Sequence, residues 1–201
     1  MGRSPLPPLT GTKQGPDFRI DLRAIVDYNK MGRLLRQKLV GQTFAAGESW
    51  PARRIRATVR DVQVRRDGRR VQISVAVTGF TRGTLHLMGT PVFRNCGRQI
   101  AIENIDFTVQ TRNLFVRLLA NRVFQNRIRH ALQANARFDV SNELAASYGQ
   151  LNRALNSELT PQARLVSNLS QFGPGWMWVT PRGVEAGYRI GGQVTVAVNP
   201  F

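Results

Sequence analysis

Alternating apolar and polar residues define the first regular element of the chain. Its apolar positions are Phe18, Ile20, Leu22, Ala24 and Val26. This period of two predicts a strand with one dry face. From Tyr28 to Val40 the period lengthens to that of an amphipathic helix with a basic polar face. Gly41 follows at the position where a glycine commonly ends a helix.

The segment from Arg53 to Thr111 predicts four strands joined by tight turns, the first turn at Asp67-Gly68. In the first and the last of these strands the apolar alternation slips once, by one residue. The apolar positions are 55, 57, 59, 62 and 64 in the first strand and 100, 102, 105, 107 and 109 in the last. A β-bulge near Arg60-Asp61 would keep the first set on one face. Because bulges bend and twist strands, the slips predict a long, strongly curved sheet.

The second half of the chain predicts two more helices followed by strands. Asn113 opens a helix that runs to about Asn135, and its early apolar residues cover enough of its surface to indicate a helix wrapped by a sheet. A third helix begins at about Ser141 and is expected to end at Pro161. The remaining pattern predicts strands at 165–172, 176–180 and 184–198, with turns at 173–175 and 181–183.

Together these elements predict a single α+β domain over residues 17–201. Its long, strongly curved antiparallel sheet wraps around the long second helix, and two further helices accompany it. Residues 1–16 hold four of the ten prolines and no apolar period, so they predict a flexible leader. No apolar run reaches the roughly 18 residues that a membrane-spanning helix needs.

The charge of the chain is strongly positive. Lys and Arg number 29 against 12 Asp and Glu, for a formal net charge of +17, and 26 of the basic residues are arginine. A GC-rich genome accounts for that composition as well as function does. Guanidinium groups bind phosphate and carboxylate well, so the expected partner is nucleic acid, a membrane surface or an acidic ligand. No nucleic-acid-binding motif accompanies the arginines, so nucleic-acid binding would rest on charge alone.

Residue types that carry catalysis are few and scattered. His86 and His130 lack metal-ligand spacing, and the single cysteine, Cys96, excludes a disulfide framework and a Cys-based zinc site. The sequence contains no nucleophile elbow, phosphate-binding loop or dinucleotide fingerprint. It therefore predicts a protein that is not an enzyme and has no metal and no cofactor.

Three short motifs occur in an order similar to that of a known family. They are Asp27-Tyr28-Asn29 leading into the basic helix, Gly83-Thr84-Leu85-His86-Leu87-Met88-Gly89-Thr90-Pro91, and Asp106-Phe107-Thr108 with Thr111-Arg112-Asn113. Over roughly residues 17–199 the chain resembles a bacterial family catalogued as a domain of unknown function. In the order of its elements it also resembles the tubular lipid-binding (TULIP) superfamily. That superfamily includes the bactericidal/permeability-increasing protein and the synaptotagmin-like lipid-transfer modules.

The resemblance implies a non-enzymatic lipid-binding or lipid-transfer domain of the bacterial cell envelope. A curved sheet around a helix would leave an apolar groove for acyl chains, with the lining candidates Met31, Leu34, Leu35, Leu114, Phe115, Leu118 and Leu119. Nearby arginines would hold the anionic head group of lipid A, a phospholipid or a sphingolipid. The candidates are Arg33, Arg36, Arg53, Arg54, Arg122 and Arg129.

The resemblance also implies a location and partners. Family members usually carry a signal or lipoprotein segment, which implies a periplasmic or outer-membrane-associated protein. The N-terminus here has no apolar stretch of that kind, so a signal or anchor is expected to be missing from this chain. The expected partners are an anionic lipid, the membrane surface and envelope proteins. The alternatives are a basic binding module for nucleic acid or an anionic envelope polymer, and an assembly scaffold with a filled core.

Trp176 and Trp178 lie two residues apart in a predicted strand and therefore share a face. One interpretation is that this face points into the core, where most tryptophans lie. The other is that the expected turn at 173–175 projects as a tip and places both rings at the head-group depth of a membrane. In the second interpretation the pair is the membrane contact.

Overall fold

Ten strands and three helices are formed by the residues that the computed structural model describes, which are 17–45, 47, 56–79, 82–108, 122–161 and 163–198. The strands are β1 (Asp17–Asp27), β2 (Thr43–Ala45), β3 (Arg56–Asp67), β4 (Arg70–Gly79), β5 (Gly83–Arg94), β6 (Gln99–Thr108), β7 (Arg137–Asp139), β8 (Glu158–Thr160), β9 (Ala163–Val179) and β10 (Gly183–Val198). The helices are α1 (Tyr28–Leu39), α2 (Arg122–Asn135) and α3 (Ser141–Ala154).

The strands form two antiparallel sheets rather than the single sheet that the sequence predicts. One sheet has six strands in the order β2-β3-β4-β5-β6-β7 and curls strongly into a half-barrel. The other has four strands in the order β1-β10-β9-β8. The α+β class and the strong curvature are therefore confirmed.

Both predicted slips in the apolar alternation are β-bulges. In β3 the register against β4 shifts between Val59 and Asp61, and valines on both sides of the shift remain buried. In β6 the register against β5 shifts opposite Gly89, and Asn104 takes a left-handed backbone conformation with φ of 50°. The bulges let two long strands keep their apolar residues on the inner face while the sheet bends.

Helix α1 begins and ends where the sequence predicts. The Asp27 side chain caps its N-terminus by accepting hydrogen bonds from the backbone N–H groups of Asn29 and Lys30, at 2.6 and 3.2 Å. The helix ends at Leu39, and Gly41 follows with φ of +87°, a conformation that glycine adopts without strain.

The concave face of the six-stranded sheet is filled by side chains of two helices. α1 contributes Met31, Leu35 and Leu39, and α2 contributes Phe124, Ile128 and Leu132. Each of these side chains is at most 2% exposed. The sequence predicts one long helix inside the sheet, whereas in the described part of the chain two helices, α1 and α2, lie inside it. The expected start of the second helix, at Asn113, lies outside the described residues.

Two expected boundaries are wrong. α3 ends at Ala154, well before Pro161, because the chain turns there and forms β8. The turn expected at 173–175 does not form, since β9 runs straight through this segment and pairs with β10. A register shift accommodates Gly175 as an extra residue, and Pro174 lies in a stretch of β9 that has no described strand on its other side. Proline is tolerated at such an edge because its missing N–H removes no ladder hydrogen bond.

Candidate functional site

An apolar cavity lies where α3, the turn between β5 and β6, and the strand β9 meet. Its volume is about 520 Å³, within the range of pockets that bind small organic ligands. The residues that line it are Arg98, Ser141, Leu144, Ala145, Tyr148, Gly149 and Phe172. Large apolar side chains alternate with small ones along α3, and this alternation leaves room beside the helix.

Hydrogen bonds to two other elements fix the turn that forms one wall of the cavity. The carbonyl of Arg98 accepts the backbone N–H of Val140 at 3.0 Å, which joins the turn to the start of α3. The Tyr188 hydroxyl of β10 donates to the carbonyl of Gly97 at 2.7 Å and joins the turn to the four-stranded sheet. The wall is therefore supported by contacts between residues far apart in sequence.

Phe172 lines the side of the cavity opposite α3 and contacts other aromatic rings. Phe172 stacks on Tyr188 with ring centroids 5.8 Å apart and planes within 5° of parallel. Tyr148 and Phe93 meet these two rings edge-on, at 6.4 and 5.4 Å respectively. Burial raises the pKa of Tyr188 to about 12, so its hydroxyl remains a hydrogen-bond donor throughout the physiological pH range. This arrangement gives the cavity a rigid apolar side.

The apolar surface continues beyond the cavity along the inner face of β9 and β10. Phe172 pairs across the sheet with Ile190, and alternate residues of β10 from there onward point to the same side. Phe172 is 42% exposed, and Val196 and Val198 are 55% and 67% exposed. Exposed apolar surface next to an apolar cavity is typical of a site that binds an elongated apolar ligand.

One charged side chain, that of Arg98, lies at one end of the cavity. Arg98 is the only charged residue among the described residues that line it, and its side chain is exposed. The backbone N–H of Ser141 lowers the pKa of the neighbouring Asp139 carboxyl most strongly, and the field of Arg98 adds to this effect. An exposed guanidinium at the mouth of an apolar cavity can bind a carboxylate or a phosphate.

The comparisons with known proteins identify the family. Residues 2–198 match the family described as "Domain of unknown function (DUF4403)". The chain belongs to this family. No curated protein and no solved structure matches it. The resemblance to a family of unknown function is thus confirmed, whereas no relative or solved structure supports the resemblance to the tubular lipid-binding superfamily.

The three described members of the predicted groove set of this DUF4403 domain do not line the cavity. Met31 and Leu35 are fully buried, and Leu34 is half-buried and packs against the same core. They face the half-barrel because α1 lies inside it. The other four candidates, Leu114, Phe115, Leu118 and Leu119, lie outside the described residues.

The four described head-group candidates do not form one cluster in the DUF4403 domain. Arg33 and Arg122 are exposed on separate helices. Arg36 forms an ion pair with Asp61 at 2.7 Å, and Arg129 donates through Nε to the carbonyl of Ile105 at 2.9 Å, beside the bulge of β6. Arg129 therefore satisfies a backbone carbonyl at an irregular point of the sheet. Arg53 and Arg54 lie outside the described residues.

None of the seven described residues that line the cavity was among the predicted site residues, and Arg98, Gly149 and Phe172 illustrate the reasons. One signal was available, since Ala145 and Gly149 alternate with Leu144 and Tyr148 on α3, and small residues beside large ones leave room on a helix face. Arg98 lies on a turn and Phe172 on a strand, both distant from α3 in sequence, so no local sequence pattern connects them with the helix.

The DUF4403 domain presents Trp176 and Trp178 on one face of β9, as their spacing predicts, with ring centroids 6.4 Å apart. Trp178 is 62% exposed and Trp176 is half-buried, so the core interpretation is wrong for Trp178. The projecting tip is also wrong, because the segment before the pair is strand.

Neither a metal site nor a membrane-spanning helix is found in the described part of the chain. No group of three or more His, Cys, Asp and Glu side chains comes together there. None of the described helices has the length and apolar character to cross a membrane.

Proposed function

We propose that this domain is a non-enzymatic lipid-binding or lipid-shuttling domain of the bacterial cell envelope. The cavity beside α3 takes up an acyl chain, and Arg98 binds the phosphate or carboxylate of the head group. The observation that carries the proposal is the combination of an apolar cavity of about 520 Å³ with a single described charge at its mouth.

The energetics favour an amphiphile over a wholly polar ligand. Each methylene group that moves from water into the cavity contributes about 0.8 kcal/mol. The aromatic wall is preformed, so little of that gain is lost in ordering the protein. A guanidinium–phosphate hydrogen bond then selects for an acidic head group. No catalytic group is needed for such a function.

The proposed location in the periplasm or at the outer membrane rests on the expectation that family members usually carry a signal or lipoprotein segment. The proposed lipid cargo rests on the resemblance to the tubular lipid-binding superfamily. A half-barrel sheet curled around helices is consistent with that resemblance. In this setting the cargo would be an anionic lipid, and the domain would contact the membrane surface peripherally.

A cavity-filling variant tests the proposal. A Cβ added at Gly149 would have no atom within 4 Å, and leucine is a good helix former, so Gly149→Leu should fill the cavity without destabilising α3. We expect the variant to lose most of its affinity for a fluorescent phosphatidylglycerol in solution. Gln150→Leu, at the exposed neighbouring position, is the matched control and should bind like the wild type. Equal binding by all three proteins would contradict the proposal.

A second candidate function is a binding module for an anionic polymer. It is favoured by a separate surface depression of about 440 Å³ whose described lining includes Arg60, Arg82, Thr78 and Thr84. Such a module would bind polyanions without acyl chains, with an affinity that falls steeply as salt is added. Filling the cavity at Gly149 would leave that binding unchanged.

A further inference from the structure

The outer face of the four-stranded sheet carries an exposed apolar patch. Trp178, Glu185 and Ile25 lie in one row across β9, β10 and β1, and Trp176, Gly187 and Arg23 lie in the next row. We call the four side chains of Trp176, Trp178, Ile25 and Arg23 the tryptophan face. It lies on the opposite side of the sheet from the apolar cavity, since the residues that alternate with it, such as Ala186, are buried.

Contacts with Gly187 and Arg23 fix the position of the Trp176 ring. A side chain at position 187 would collide with the indole of Trp176, so only glycine lets that ring lie across the backbone of β10. In this position the ring meets Arg23, whose guanidinium carbon lies 5.8 Å from the ring centroid, a cation–π distance. Arg23 also approaches Glu185 at 3.8 Å. The half-buried Trp176 is therefore held in place, and it supports the neighbouring Trp178.

The other two apolar members of the tryptophan face, Trp178 and Ile25, are exposed to solvent. Trp178 is 62% exposed and Ile25 is 45% exposed. The two side chains lie in one row of the sheet, two strands apart with Glu185 between them. Large apolar side chains that are exposed on one sheet face mark a surface that binds something. Tryptophan is enriched at the membrane–water interface, where its apolar ring and its N–H group each find a suitable environment.

Charge on the same side of the sheet favours an anionic surface. Along β1, β10 and the turn before β10, four arginines lie on this side against three described acidic residues: Arg19, Arg23, Arg182 and Arg189 against Asp21, Asp27 and Glu185. Asp21 and Glu185 are within 4 Å of an arginine on the neighbouring strand, at 3.9 and 3.8 Å, and Asp27 caps α1. These residues therefore leave a small basic excess, within a chain of net charge +17.

We propose that the tryptophan face is a docking surface for an anionic lipid bilayer. Trp178 and Ile25 insert at head-group depth, and Trp176 packs beside Trp178 and supports it. The arginines contact lipid phosphates. The proposal does not depend on the cavity, because the two surfaces lie on opposite sides of the sheet. It assigns the membrane contact to a sheet face, in place of a projecting tip.

Co-sedimentation with vesicles tests the docking surface. The probe is vesicles of equal parts phosphatidylglycerol and phosphatidylcholine, with pure phosphatidylcholine vesicles for comparison. We expect Trp178→Ala to bind the anionic vesicles about tenfold more weakly than the wild type, and Ile25→Ala to bind them more weakly as well. Leu159→Ala, which truncates a 54% exposed side chain on β8, is the control and should bind normally. The melting temperature of Trp178→Ala should stay close to that of the wild type because the ring is exposed.

The outcomes separate docking from lipid uptake. The docking surface would be overturned if Trp178→Ala and Ile25→Ala sedimented with anionic vesicles as the wild type does. It would also be overturned if Leu159→Ala lost as much vesicle binding as Trp178→Ala. Gly149→Leu should sediment like the wild type, since it alters only the cavity. If Trp178→Ala stays in solution but still takes up fluorescent phosphatidylglycerol, docking through the tryptophan face is supported whatever the cavity binds. If the wild type sediments only with a protein partner added, a protein-binding surface replaces the bilayer.

Discussion

Arg98 is the residue on which head-group selectivity depends in this account. Replacing it with glutamine removes the only described charge at the mouth of the cavity and leaves the apolar wall intact. We expect Arg98→Gln to weaken binding of phosphatidylglycerol about tenfold or more, since charge-assisted hydrogen bonds contribute about 1.5–3 kcal/mol and about 1.4 kcal/mol is tenfold in affinity. Binding of phosphatidylcholine should change little. Arg137→Gln, the same change at an exposed arginine outside the cavity, should alter neither affinity.

Tyr188 links the stability of the fold to alkaline pH. Burial raises its pKa from the ordinary 10.0 to about 12, so the folded state holds the phenol proton more tightly than the unfolded state does. The resulting stability is fully present below pH 10 and is lost as the pH rises through about 12. Urea unfolding at increasing pH should show this decline in the wild type and a smaller one in Tyr188→Phe. Identical pH profiles would show that this hydroxyl is not protected by burial.

The partners of Tyr188 could not be predicted from the sequence. The hydroxyl donates to Gly97, which is 91 positions away in the sequence, and the ring stacks on Phe172 of another strand. Periodicity assigns a face to a side chain, whereas a contact across sheets depends on how two sheets pack. The same limit hid the cavity, whose three walls come from separate parts of the chain.

At the scale of elements, α1 is an internal support of the half-barrel. Leu35 is fully buried, so Leu35→Ala should reduce the free energy of unfolding by about 2–5 kcal/mol. Arg33→Ala, on the exposed side of the same helix, should change it by less than about 0.5 kcal/mol. Urea denaturation measures both. A small loss for Leu35→Ala would instead indicate a loosely packed position, as expected for a residue that lines an open groove.

The two bulges were predictable because they leave a local trace, a one-residue slip in apolar alternation. The path of β9 through Gly173, Pro174 and Gly175 was not, because these residue types favour turns and only their place at a sheet edge permits a strand. The end of α3 was misplaced for a similar reason. Pro161 is a strong local signal, yet the chain leaves the helix at Ala154 to form β8 against β9.

At the scale of the whole molecule, we propose different roles for the two sides of the four-stranded sheet. Its inner side meets the half-barrel through contacts such as the Tyr188 hydrogen bond and borders the apolar cavity. Its outer side carries the tryptophan face. A domain arranged in this way could rest on a membrane with one side of a sheet while a lipid chain occupies the other. The surplus of arginine would draw it to an anionic leaflet before either contact forms.

The central claim is that the domain recognises the acyl chains of its ligand together with the charge of its head group. The most direct measurement compares its affinity for monomeric short-chain phosphatidylglycerol with that for the same molecule after deacylation, glycerophosphoglycerol, by calorimetric titration at physiological salt. We expect binding of the acylated molecule and a loss of at least about a hundredfold on deacylation, because each buried methylene contributes about 0.8 kcal/mol. Equal affinity for the two molecules would contradict it and would identify the domain as a binder of polar anions.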